Sequence, residues 1–341
     1  MQLEVTIDGR ALVGDRTGIG VHTAEIARRL DVTPPPLIAT HAAIVDREGL
    51  QRCRFRVDPT PLGVVWQQFV LPHVATEGVL WGPHRTLPYA LRIPAVATLH
   101  DFSSITMAHR HRFKTITSFN LFIGRSLRMA SRIAAVSRAV ADEAMRWFGV
   151  PSRKITLVPN GVDEFFSPGG DEGDYILFAG TLEPRKGIED LLAVYDSLPS
   201  PRPKLVLCGG KGWGGVPVER HDVNVTGFVT RERLRELYRG ACLFVYPSRH
   251  EGFGIPPLEA MACGAPVVAT RTGAIPDFAT GAALLVDPGD RDALRAAMVR
   301  VLGDAALRRD LRARGAERAT QHRWDGSART MTALLAEVAR G

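Results

Sequence analysis

The residues best suited to chemistry lie in the run Tyr246-Pro-Ser-Arg-His-Glu-Gly-Phe-Gly-Ile-Pro-Pro-Leu-Glu-Ala-Met-Ala-Cys-Gly-Ala-Pro-Val-Val. A short apolar strand leads into a loop with Glu251, Gly252 and Gly254, and Pro256-Pro257 opens a helix that is expected to carry Glu259 in its first turn. Glycine removes the side chains that would keep a sugar and its diphosphate from backbone amides, and a helix N-terminus offers unpaired N–H groups to phosphate. Two carboxylates on such a turn can hold hydroxyls, one on each side of that phosphate. A lone glutamate at a helix start more often sits in a solvated loop and favours the macrodipole. The ordered string, with its glycines and prolines fixing a particular backbone, points instead to a ligand site.

A second run, Phe178-Ala-Gly-Thr-Leu-Glu-Pro-Arg-Lys-Gly-Ile-Glu-Asp-Leu-Leu, is again a strand exit into a helix. Arg185 and Lys186 fall just ahead of that helix, where a forked guanidinium and a point ammonium can neutralise a diphosphate. By itself this would be a basic surface turn. His100-Asp101 follows another apolar strand, and a histidine there is either hydrogen-bonded to the strand end or reactive. His250, beside Glu251, reads as a surface residue.

Positioning these side chains requires strands alternating with helices. Apolar strand segments recur at 3–7, 37–39, 78–80, 95–99 and 132–136, with helical spacing at 22–30, 118–129 and 138–148. A second series begins at 175–179 and continues at 204–208, 224–225, 243–246, 266–269 and 283–286. Pro159 and the Asn160-Gly161 turn signal interrupt the pattern between the two. This is βα alternation in two halves, hence two parallel sheets, with ligand sites outside the carboxyl ends of the strands and a shared cleft where those ends face each other. The expected domains are 1–165, 170–322, and a C-terminal helix over 323–341 that packs back on the first.

The chain has 341 residues, 45% hydrophobic and 23% charged, in the ordinary globular range. No apolar run is long enough to span a bilayer, and the charged start MQLEVTIDGR does not read as a secretory signal, so a cytoplasmic protein is expected. Cys53, Cys208, Cys242 and Cys263 lack metal or disulfide spacing and read as buried thiols. The net charge of +7 favours anionic partners. Between Phe102 and Ala141 there is no acidic residue, while Arg110, Arg112, Lys114, Arg125, Arg128, Arg132 and Arg138 all fall there. The stretch 109–132 mixes arginine and lysine with Phe113, Ile116, Phe119, Phe122 and Leu127, as a core-facing helix with a solvated basic edge would, or a helix resting on an anionic membrane.

Glu251 and Glu259, with seven residues between them, resemble the E-x7-E signature of retaining family-4 glycosyltransferases of the GT-B fold. Ala135-Val-Ser, Val158-Pro-Asn-Gly-Val-Asp, Gly180-Thr-Leu-Glu-Pro-Arg-Lys-Gly, Cys208-Gly-Gly-Lys-Gly and Leu285-Val-Asp-Pro are similar to the family in order and spacing, from about residue 133 onward. Gly18-Ile-Gly and Thr98-Leu-His-Asp also fit in the more variable first half. The resemblance implies an α/β, GT-B architecture of two Rossmann-like domains facing across a cleft. It further implies that Arg185 and Lys186 bind the donor diphosphate, that Glu251 contacts the transferred sugar, and that the amides of Gly252, Phe253 and Gly254 meet the diphosphate or sugar. Glu259 would bind the ribose, Gly18 and Gly20 would line the opposite wall, and His100 would lie near the reacting centre. Neither metal nor cofactor is implied: the nucleotide sugar is a co-substrate, and the two cations can do a divalent ion's electrostatic work.

The resemblance is strongest to mannosyltransferase-type members, which makes GDP-mannose the first expected donor, ahead of UDP- or other GDP-sugars. The expected acceptor is a glycan or a lipid-linked glycan, with peripheral contact at the inner membrane face. A GT-B-like epimerase would release an epimerised donor in place of a glycoside, and a non-catalytic sugar-nucleotide binding protein would bind without turnover. An NAD-dependent oxidoreductase lacks its G-x-G-x-x-G after the first strand, and nucleic-acid binding has only net charge behind it.

Overall fold

The computed structural model describes residues 2–14, 17–103, 122–215, 218 and 220–341. The chain divides into two compact units, one formed by Met1–Asn160 with Trp324–Gly341 and the other by Gly161–Arg323. The division falls at Asn160, ahead of the expected boundary at 165, and the loop from Gly161 onward belongs to the second unit.

In unit 1 the described strands are β1 (Val5–Asp8), β2 (Leu37–Thr40), β3 (Arg54–Val57), β4 (Val79–Gly82), β5 (Ala95–Leu99), β6 (Arg132–Ala135) and β7 (Ile155–Leu157). They form one parallel sheet in the order β3-β2-β1-β4-β5-β6-β7. The central strands β1, β4 and β5 are buried along their whole length, which is why they read as unbroken apolar runs. The edge strand β3, Arg-Phe-Arg-Val, is mostly exposed, and its charges hide it from any search for apolar strands.

The described helices of this unit are α1 (Gly18–Ala27), α2 (Gly63–Phe69), α3 (Leu71–Val74), a helical run over 122–129, and α4 (Arg138–Phe148). Ser137 caps α4, its hydroxyl accepting from the Val140 amide, and Gly149 ends it in the left-handed region at φ 63°. The expected basic segment 109–132 lies outside the described residues as far as 121; beyond it, Ile123 and Leu127 are buried and Phe122, Arg125 and Arg128 exposed.

Unit 2 holds β8 (Tyr175–Ala179), β9 (Lys204–Cys208), β10 (Val223–Gly227), β11 (Leu243–Tyr246), β12 (Val267–Thr270) and β13 (Leu284–Val286). Its parallel sheet runs β10-β9-β8-β11-β12-β13. The helices are α5 (Ile188–Asp196), α6 (Arg231–Gly240), α7 (Ile255–Ala262), α8 (Ile275–Ala279), α9 (Arg291–Gly303) and α10 (Ala305–Thr320). The last helix, α11 (Trp324–Arg340), returns to unit 1 and packs on α1, β4, β5 and β6. All four cysteines are buried and free. Among the described residues, no helix is long and apolar enough to cross a membrane.

Candidate active site

In unit 2 the strand order reverses between β8 and β11. Connections leaving adjacent strands in opposite directions part there and open a crevice at the carboxyl ends. The two segments singled out in the sequence are the exits of those two strands. After β8 the chain makes a tight turn over Pro184–Lys186, and Gly187 caps α5 at φ 70°. A Cβ on Gly187 would run into the Pro247 carbonyl oxygen, so only glycine allows the turns to meet. They are joined by the Arg249 amide donating to the Arg185 carbonyl (2.8 Å) and by Arg185 Nη1 donating to the His250 carbonyl (3.4 Å), with Ser248 Oγ 3.2 Å from the Arg185 carbonyl oxygen.

Lys186 and Glu251 form a buried ion pair, Nζ to Oε1 at 2.6 Å. The same Oε1 accepts from Tyr246 OH (3.0 Å) and Ser248 Oγ (2.6 Å), and the Tyr246 hydroxyl accepts from Lys186 Nζ (2.7 Å). Arg185 stands 3.7 Å from Glu251 and is paired through Nε with Glu183 at 2.7 Å. Burial pushes the Glu251 carboxyl up, but the charges of Lys186 and Arg185 and the hydrogen bonds outweigh it and hold the group below its ordinary range. Burial also pulls the Lys186 ammonium down, against the attraction of Glu251. Burial and Glu251 raise the Tyr246 phenol far above its ordinary value, which keeps it a donor. An ammonium has three protons and these contacts use two, so one Nζ–H is available to an anion. With Oε1 saturated, Glu251 Oε2 makes no hydrogen bond among the described residues and can accept from a hydroxyl.

The loop continues through buried Gly252 to Phe253, whose ring is taken up by stacking on Phe278, with centroids 5.4 Å apart. Gly254, at φ 101°, caps α7, and its missing side chain makes room for Ile275. Glu259 departs from expectation. Helix α7 begins at Ile255, one residue before the prolines, so Glu259 falls in the second turn, where Tyr238 OH donates to Oε2 at 3.0 Å. Three of the four charged residues therefore share one network, while Glu259 joins a separate tyrosine. His250 is half-buried, not a surface residue.

Tyr246 and Ser248 belong to the same run as Glu251, but residue type and spacing mark them only as strand and loop. A tyrosine deep in a buried strand needs a partner for its hydroxyl, and that need is the sequence signal for Tyr246.

Unit 1 repeats the topology. Its order reverses between β1 and β4, and a cavity of about 440 Å³ opens there, with Arg10 after β1, His84 and Arg85 after β4, and His100 and Asp101 after β5. Ile19, Val64, Leu87 and Phe122 make it largely apolar. His100 Nε2 donates to the Pro83 carbonyl at 3.0 Å. Burial and neighbouring His22 hold its imidazole well below the usual range, so it is neutral with an unprotonated Nδ1. Its ring packs edge-on to His22 at 4.7 Å. His22 is fully buried in α1, pairs through Nδ1 with Asn160 Oδ1 (2.7 Å), and is pulled down by burial to about 4. Gly18 begins α1 in the open and Gly20 is buried in it. These three site residues, His100, Gly18 and Gly20, belong to a different unit from Arg185, Lys186 and Glu251.

Known proteins share both segments. Residues 163–318 match the family described as Glycosyl transferases group 1, and residues 44–164 match Glycosyltransferase Family 4. The chain is 34% identical over 268 residues to the O-antigen chain mannosyltransferase B of Escherichia coli, covering 72% of this chain and 70% of that one. It is 28% identical over 277 residues to the serotype-specific mannosyltransferase WbdA of Escherichia coli, covering 70% of this chain but only 34% of that longer protein. The crystal structure of Anabaena HepE in complex with UDP and glucose superposes with a TM-score of 0.77 at 19% identity, over 98% of this chain and 99% of that one. With two parallel-sheet α/β units and these relatives, the chain is a glycosyltransferase and belongs to family 4, of the GT-B fold.

Proposed function

We propose that the protein transfers mannose from GDP-mannose, with retention of configuration and without a metal ion, to a glycan or lipid-linked acceptor in polysaccharide synthesis. The observation that carries the donor site is the buried Lys186–Glu251 pair at the reversal point of the second sheet, with one ammonium proton and one carboxylate oxygen left to serve a ligand. In this reading Lys186 and Arg185 bind the diphosphate and stabilise the charge that grows on it as the C1–O bond breaks. Glu251 Oε2 and the amides of Gly252, Phe253 and Gly254 hold the sugar and phosphate, and Glu259 binds the ribose from its place beside Tyr238. The acceptor oxygen attacks C1 as its proton passes to the leaving phosphate, giving a glycoside and GDP.

The cavity beside neutral His100 suits an uncharged hydroxyl donor with an apolar portion, and exposed Phe122, Arg125 and Arg128 suit contact with an anionic membrane surface. Gly18, exposed at the start of α1, would leave the backbone there open to a ligand, with Gly20 packed behind it.

Mannose is favoured by the names of the curated relatives; UDP and glucose in the HepE structure make UDP-glucose the second donor to test. Thermal-shift measurements against GDP-mannose, UDP-glucose, ADP-glucose and TDP-glucose separate them, because a ligand that binds only the native state raises its apparent stability. GDP-mannose should give the largest shift and be the sugar consumed on turnover. A shift with UDP-glucose alone overturns the donor assignment, and an epimerised free nucleotide sugar as product overturns transfer. Sedimentation with anionic liposomes at low salt tests the membrane contact; no binding removes it.

A further inference from the structure

The loop carrying Glu251 is held from a side that no donor contact explains. Asp190, in the first turn of α5 and only 3% exposed, accepts hydrogen bonds from two arginines on separate elements. Arg249 binds it in a forked pair, Nε to Oδ2 at 2.9 Å and Nη2 to Oδ1 and Oδ2 at 3.0 and 2.8 Å. Arg291, the first residue of α9, reaches Oδ1 through Nε at 2.7 Å. We infer that Asp190 and Arg249 form a clamp that positions Lys186 and Glu251 for the transfer reaction, an inference that rests on the donor-site reading of those two residues.

The argument is one of connectivity. Asp190 lies four residues after Lys186, just past the Gly187 cap of α5, and Arg249 lies between Ser248, whose hydroxyl donates to Glu251 Oε1, and Glu251 itself. The Arg249 backbone amide is already bound to the Arg185 carbonyl. One residue therefore fastens the Glu251 loop to the β8 exit by its backbone and to α5 by its side chain. A planar fork bound at both nitrogens fixes orientation as well as distance, which a lysine would not do. Near-attack geometry tolerates little error, and displacement by about 1 Å can cost about a hundredfold in rate.

Arg291 supplies the control. It neutralises the same carboxylate, but from α9, which carries none of the site residues. Removing either arginine leaves Asp190 with one cation, while only Arg249 ties the Glu251 loop. Asp190 and Arg249 are thus positioning residues, acting through Lys186 and Glu251.

The test compares turnover and melting temperature of the wild type, Arg249→Gln, Arg291→Gln, Asp190→Asn and Lys186→Ala, using whichever nucleotide sugar of the thermal-shift panel the wild type consumes fastest. Arg249→Gln and Asp190→Asn should lower kcat by about tenfold to a hundredfold with a smaller change in donor KM, and the double variant should be no worse than either single. Arg291→Gln should keep kcat within about twofold of wild type. Equal losses of kcat in the two arginine variants, or losses that merely follow melting temperature, overturn the clamp. An inactive Lys186→Ala beside an unaffected Arg249→Gln overturns the clamp alone. Near-normal turnover by Lys186→Ala, or a wild type that consumes no sugar in the panel, overturns the donor-site reading and the clamp with it.

Discussion

The two sheets of this protein reverse strand order in the same way, between β1 and β4 in one and β8 and β11 in the other, and have built opposite chemistry at the two crevices. The second crevice concentrates charge: a buried ammonium and carboxylate 2.6 Å apart, a guanidinium beside them, and tyrosine and serine hydroxyls saturating one oxygen. The first holds neutral imidazoles under an apolar cavity. Topology decided where each site would lie, and the side chains at the strand exits decided what each could bind. A charged diphosphate needs the charged environment of the second crevice. A neutral hydroxyl nucleophile is served by the neutral, apolar environment of the first.

The largest effect should come from removing the charge contrast. Lys186→Met is expected to lower transfer by about a thousandfold and, by leaving Glu251 buried without its cation, to cost about 3 kcal/mol of stability. The Lys186→Met/Glu251→Gln double variant should regain much of that stability and none of the activity; recovery of turnover would mean that the pair is structural.

The next prediction concerns the neutral side. His100→Ala should lower kcat by about a hundredfold. His100→Gln keeps a donor for the Pro83 carbonyl but has no ring nitrogen in place of Nδ1. Activity in the glutamine variant equal to wild type would reduce His100 to a support for that turn.

A third measurement reads the burial of His22. The folded imidazole stays neutral down to about pH 4, whereas an unfolded one takes up a proton near 6.5. Between those values the unfolded chain binds more protons, so stability rises with pH, and this residue contributes up to roughly 3 kcal/mol of the rise. Urea denaturation of His22→Gln at pH 4.5 and 7 should show a smaller difference than wild type. Some slope should persist, because burial also lowers His41, His84, His100 and His322. An unchanged slope would show that His22 is charged in the folded protein.

The smallest effect is expected at the cavity rim. Val64 and Phe122 are 65% and 42% exposed, so Val64→Ser and Phe122→Ser should leave the melting temperature unchanged while raising the acceptor KM by about threefold to tenfold. Unchanged acceptor kinetics would remove the cavity from the acceptor path.

The sequence by itself determined the architecture and the address of the proposed donor site. Central strands buried on both faces must be apolar along their length, and catalytic loops in such sheets must follow them, so Lys186 and Glu251 were legible from type and order alone. The exposed strand β3 was not legible, because an edge strand carries the charges that disguise it. Nor could spacing alone show that Glu259 would turn to Tyr238, that Tyr246 and Ser248 would converge on one oxygen of Glu251, or that Asp190 would meet Arg249 and Arg291. Those pairings join residues as far apart as 101 positions in the chain, and a hydrogen bond depends on direction and on separation within a few tenths of an ångström. Periodicity specifies which face of an element is buried; only packing of the elements fixes which polar atoms, once buried, find one another.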